Sequence, residues 1–302
     1  MEKYDPPSMN RHSIRLRIDV KPENAFIGEC VYCGSKENLT DEHTIPKGLW
    51  GKHFLIDGSC KTCANATTKF ELRVLRSMEV FREFFGGPTR HSRKRGRWTR
   101  RRLVTNQTGH ALDVPIGATA QAIFIPVFDY IPRKLFGDVK GRKHRLHDVK
   151  TCLFTKKIDP ALSGYGLPPV GIVSDDWAKF YLKVAYTEYI RTFDPSFRSK
   201  AISDIIIHWR GDQSNYLGGR NSAPAINHVY ILSYAALARS DGGYALVGYL
   251  RLFPFMNTPS HLVYLGDVPA GEKLPPNLPV RATWTRKNLW PNYVTSGPPI
   301  VL

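Results

Sequence analysis

Apolar positions at three- and four-residue spacings predict a helix over Thr67–Phe85. Phe70, Val74, Leu75, Met78, Phe81, Phe84 and Phe85 carry the spacing, with Lys69, Arg73, Arg76 and Glu79 between them. Gly86-Gly87-Pro88 ends it, since both residue types stop helices. A second helix is predicted over Asp175–Phe193. Trp177, Phe180, Tyr181, Val184, Ala185 and Tyr189 form its face, and Asp175 or Asp176 can cap it. Ala120–Ile131 reads as a strand and Pro132–Lys150 as a basic loop. His228–Ala238 and Tyr244–Phe253 read as strands around Ser240-Asp241-Gly242-Gly243, a hairpin signal, and His261–Leu265 as another short strand. The Pro-rich tail from Pro269 is expected to run extended over the surface. Upstream, Ala25–Phe70 is punctuated by Gly28, Gly34, Pro46, Gly48, Gly51, Gly58 and cysteine pairs, which favours short strands and turns over long helices.

The 302 residues allow one large domain or two modest ones. A hydrophobic content of 42% with 12% aromatics supports a packed core and excludes wholesale disorder. Charge adds more. Lys plus Arg is 43 against 26 acidic residues, a net +17, which favours a polyanionic partner. The first 110 residues hold 21 of the basic and 12 of the acidic residues, so the N-terminal third is the more basic part. Met1–Asn10 is polar, without the apolar core of a signal peptide. The longest uncharged apolar stretch, Ala225–Ala238, is too short to cross about 30 Å of hydrocarbon. The expectation is a soluble cytoplasmic protein with no membrane partner. In that setting, paired cysteines signal metal more than disulfide.

Four of the five cysteines form two such pairs, Cys30-x2-Cys33 and Cys60-x2-Cys63, separated by 26 residues. Four thiolates make a complete tetrahedral shell for zinc, and Gly34 lets the first knuckle turn. A closed shell leaves no open position, so the expected Zn2+ is structural. Cys152 has no partner in sequence and reads as a core residue.

Between the pairs lies Asp41-Glu42-His43-Thr44-Ile45-Pro46, and an Asn follows the second pair closely. Cys-x2-Cys, Glu-His-x-Ile-Pro and Cys-x2-Cys together resemble the zinc-bearing branch of the His-Asn-His (HNH) endonucleases. The resemblance covers Cys30–Glu71 and, more loosely, runs to Arg90. It implies a ββα-metal module, a hairpin then a helix with a divalent ion between them, hydrolysing DNA to 5′-phosphate and 3′-hydroxyl ends. It makes His43 the general base and Glu42 a ligand of a catalytic Mg2+ or Mn2+. The third position departs from the family pattern. Ala64 stands directly after the last Cys, so the ligand is either Asn65 or Glu71. The chemistry stands on its own terms as well. A histidine suits deprotonation of water near neutral pH, and a cation is needed on the scissile phosphate. His53, in the same loop, reads as an ordinary strand histidine.

Thr89–Arg102 is a basic block. Arg90, Arg93, Lys94, Arg95, Arg97, Arg100, Arg101 and Arg102 could neutralise phosphates and seat a duplex beside the site, or form a solvated linker. The fold class expected is α+β: a leader over 1–24, a zinc-bearing HNH module over 25–88, a basic linker over 89–110 and an α+β accessory domain over 111–302. That last part carries no catalytic motif. The functional expectation is a metal-dependent endonuclease acting on DNA, with RNA as the lesser alternative substrate. The rival is a zinc-stabilised nucleic-acid-binding protein without catalytic activity.

Overall fold

The computed structural model describes residues 24–84, 100–105, 111–115, 122–128, 131–136, 146–153, 165–166, 173–208, 212–222 and 229–282. The chain is α+β. Its N-terminal part runs β1 (Ala25–Phe26), β2 (Leu39–His43), β3 (Phe54–Cys60), α1 (Lys61–Ser77) and α2 (Glu79–Phe84). Then come β4 (Arg100–Thr105), β5 (Ala111–Pro115), β6 (Ala122–Phe128), β7 (Leu146–Leu153) and β8 (Tyr165–Gly166). Two helices follow, α3 (Ser174–Thr192) and α4 (Lys200–His208). The chain continues as β9 (Leu217–Arg220), β10 (Tyr230–Ala238), β11 (Tyr244–Leu252), β12 (Ser260–Val268) and β13 (Val280–Arg281).

β2 and β3 form an antiparallel hairpin, with β1 parallel on the other side of β3. The register shifts midway: Thr40 faces Ser59 but Glu42 faces Leu55, so Ile56–Gly58 bulge opposite Asp41. Asp57 adopts φ 52°, and its N–H donates to Asp41 Oδ1 at 3.2 Å. Gly58 is required here, because a Cβ would lie 2.5 Å from Leu55 Cβ. The bulge also holds the first cysteine knuckle, as Val31 N–H donates to the Gly58 carbonyl at 2.9 Å.

α1 begins at Lys61, six residues before the expected start, directly after β3. Cys60 stands at its N-cap without a side-chain capping bond, so the usual Ser/Thr/Asp/Asn start signal is missing. Cys63, Thr67, Phe70 and Val74 form its buried face. The expected single helix breaks at Met78, and α2 carries the pattern on to Phe81.

The expected hairpin exists: β10 and β11 pair antiparallel from Tyr230↔Leu252 to Ala238↔Tyr244. They lie in a five-stranded sheet ordered β13-β10-β11-β12-β9. Part of the expected loop at 132–150 is strand, since β7 pairs with β6. The β4–β5 pair extends from Arg100 to Pro115, across the end of the expected linker. α4 has no counterpart in the sequence reading.

α3, predicted to be amphipathic, is buried on nearly every side. From Asp176 to Ile190 all but Lys179 are buried. It packs on the five-stranded sheet, where Tyr234 Oη donates to the Ala185 carbonyl at 2.9 Å and Gly248 leaves room for close approach. On its other side it packs against α1 and β3. One continuous core runs from Cys30 to Leu278 through α3, on both sides of residue 110. Among the described residues, no helix is long and apolar enough to cross a membrane.

Candidate metal centre and the hairpin–helix junction

The first knuckle turns through Gly34, at φ 73°, whose N–H donates to the Cys30 carbonyl at 2.8 Å. The second pair bridges the end of β3 and the first turn of α1. The Sγ atoms of Cys30, Cys33, Cys60 and Cys63 all lie within 4.8 Å of one another, and Cys33 and Cys60 are 3.7 Å apart. In a tetrahedron with Zn–S near 2.3 Å the S···S edge is about 3.8 Å, so these thiols fit zinc. The hydrogen bond from the Cys63 thiol is the largest influence on Cys30. It draws that thiol down to about 4 against the opposing effect of burial. Thiolate formation is therefore favoured at Cys30, while burial pushes the Cys33 thiol up and the hydrogen bond to Cys30 pushes up that of Cys63.

Adjacent residues of a strand point to opposite faces, and this decides the Glu42–His43 pair. His43 faces outward, its ring edge-on to Phe54 with centroids 5.9 Å apart. Partial burial, then the nearby Lys183 charge, lowers its pKa below the usual histidine value. Glu42 points inward and is buried. There it meets Glu71, from the second half of α1, at a shared partner. Lys183 Nζ lies 2.9 Å from Glu42 Oε1 and 2.8 Å from Glu71 Oε1, and also donates to the His43 carbonyl. Lys183 is wholly buried at the centre of α3. Burial raises the pKa of Glu71, partly offset by Lys183.

Asn65 is exposed on α1. At about 100° per residue it sits roughly 120° around the helix from Glu71 and about 9 Å along the axis. Glu42 and Glu71 are thus brought together, while the His43 ring and the Asn65 side chain face elsewhere. Arg100, Arg101 and Arg102 fall in β4. Arg90, Arg93, Lys94, Arg95 and Arg97 lie outside the described residues.

Sequence reasoning misses the polar stripe of α3. Asp176, Lys183, Thr187 and Glu188 follow helical spacing and dock on the N-terminal module. Asp176 forms a two-point ion pair with Arg73 of α1. Thr187 Oγ1 lies 2.8 Å from the Lys183 carbonyl, to which it donates, and 3.3 Å from the Thr44 carbonyl. Glu188 Oε1 lies 3.5 Å from His53 Nδ1 and accepts from Arg191 at 2.6 Å. His53 is therefore a buried side chain facing the Glu188 carboxylate rather than an ordinary strand histidine. Neither Asp175 nor Asp176 caps α3 as predicted: Val173 stands at the N-cap, with no side-chain capping bond. The available signal is Lys183 and Glu188 within the largely apolar run Phe180–Ile190, since such charges are buried only when paired.

No family model, curated protein or solved structure matches the chain.

Proposed function

We propose that the chain is an HNH-type phosphodiester hydrolase acting on DNA, with His43 as the base that activates water and the four-cysteine zinc as a structural element. The observation that carries this reading is a β-hairpin running straight into a helix beneath the four-cysteine cluster, with Glu42–His43 closing strand β2. His43 faces outward, and its lowered pKa keeps the imidazole neutral, as a base must be. The net charge of +17 and the basic block favour a polyanionic substrate.

The oxygens of Glu42 and Glu71 are of the kind that binds Mg2+ or Mn2+. With the Lys183 ammonium between them, they do not also fit a divalent ion. That favours a second reading: a zinc-stabilised nucleic-acid-binding protein that does not cut. Plasmid nicking by the zinc-loaded chain, with and without added Mg2+ or Mn2+, separates the two. His43→Ala is expected to keep zinc content and DNA binding while losing about 10²–10⁴ in rate. Binding without cleavage in every metal arm would establish the second reading. Cleavage by His43→Ala at more than about a tenth of the wild-type rate would remove His43 from the chemistry.

A further inference from the structure

We infer that the Lys183 ammonium is the resident cation of the hairpin–helix junction. The pocket made by Glu42, Glu71 and the His43 carbonyl is a cation site whose occupant is carried by the chain itself, and a divalent ion enters only when that side chain is gone. The inference does not depend on whether the protein cuts DNA, and its test reads metal binding instead.

Three observations carry it. The first is the set of oxygens around the ammonium. Glu42 Oε1 and Glu71 Oε1 flank it as ion-pair partners, and it donates to the carbonyl of His43 and, at 3.4 Å, to that of Thr44. The second is burial. Lys183 has no exposed side chain and Glu42 very little, so each charge needs a partner within the protein. Two carboxylates around one ammonium supply it. The third is size. The carboxylate oxygens stand 2.8 and 2.9 Å from the nitrogen, whereas Mg2+ holds oxygens at about 2.0–2.1 Å. An ion at the centre of this shell would coincide with the nitrogen, so the two exclude each other.

The placement has a structural consequence. His43 and Lys183 are 140 residues apart, so the cation arrives only when α3 docks on the hairpin. A metal would close this junction from solution; here the second half of the chain closes it.

The test is a Mn2+ titration of the full, zinc-loaded chain, with free Mn2+ followed by electron paramagnetic resonance. Wild type and Glu71→Gln should bind Mn2+ indistinguishably. Lys183→Ala should gain one site per chain, at least about tenfold tighter than any in wild type. The gained site should vanish in Lys183→Ala/Glu71→Gln. Mn2+ should raise the melting temperature of Lys183→Ala and leave that of wild type unchanged. A wild-type Mn2+ site abolished by Glu71→Gln would overturn the inference, because the lysine would then yield to metal. A folded Lys183→Ala with no new site would overturn it too. Lys183→Met, which keeps most of the apolar stem, serves if the alanine variant does not fold. If neither folds, the wild-type comparison with Glu71→Gln decides by the same criterion.

Discussion

His261 lies on Tyr181, ring centroids 3.8 Å apart, with Phe128 edge-on, and its Nε2 meets the Pro126 carbonyl at 3.0 Å. A carbonyl only accepts, so Nε2 carries the proton. Nδ1 is buried with no hydrogen-bond partner among the described residues. Protonating it would place a charge in the core, so burial pushes the pKa from 6.5 down to about 3. The unfolded chain takes up this proton near 6.5 and the folded chain only near 3. Between those values the unfolded state binds more protons, so stability falls as pH drops through that window. Each pH unit with the difference fully expressed costs about 1.4 kcal/mol. His261→Phe keeps the ring stack and removes the titration. Urea unfolding of both proteins between about pH 7 and 4 should show a shallower loss in the variant; equal slopes would assign the acid sensitivity to other groups.

At the level of elements, the four cysteines join pieces that are weak alone. β1 has two residues and β2 five, while β3 is interrupted by a bulge. α1 starts without a capping side chain. The cysteine cluster ties the first knuckle, the end of β3 and the first turn of α1 at one point. Structural zinc in small fingers contributes about 10–16 kcal/mol of apparent binding free energy, coupled to folding. Cys63→Ser should therefore lower zinc content and speed amide exchange first in β2, β3 and the first turn of α1, with β10–β12 affected later. Unchanged zinc content and unchanged exchange in Cys63→Ser would show that the four thiols do not share a metal.

For the molecule as a whole, α3 is the shared centre. Its sheet-facing side is apolar and aromatic, and its other side carries the ion pairs to Arg73, Glu42 and Glu71. Removing α3 takes away a helix packed on α1, whose Phe70 and Val74 lie in the same core, and leaves Glu42 and Glu71 beside each other without their cation. Residues 24–110 expressed alone with zinc should bind the metal yet show no cooperative thermal transition. A well-dispersed amide spectrum from that fragment would mean the module folds without α3.

The four-cysteine cluster is legible in the sequence because two CxxC pairs state both residue type and spacing, and that chemistry does not depend on the fold around it. The β10–β11 hairpin is legible for a similar reason, since two apolar runs flanking an Asp-Gly-Gly turn are local signals. The start of α1 is hidden, because the cysteine at the N-cap belongs to the four-thiol cluster and makes no side-chain capping bond. The partner of Glu42 is hidden for a deeper reason. Nothing local distinguishes a carboxylate that binds metal from one that binds a lysine. Glu42, Glu71 and Lys183 meet only because a bulged hairpin, a helix and a second helix 140 residues on are packed around one core. Burial then makes those charges one another's counter-ions.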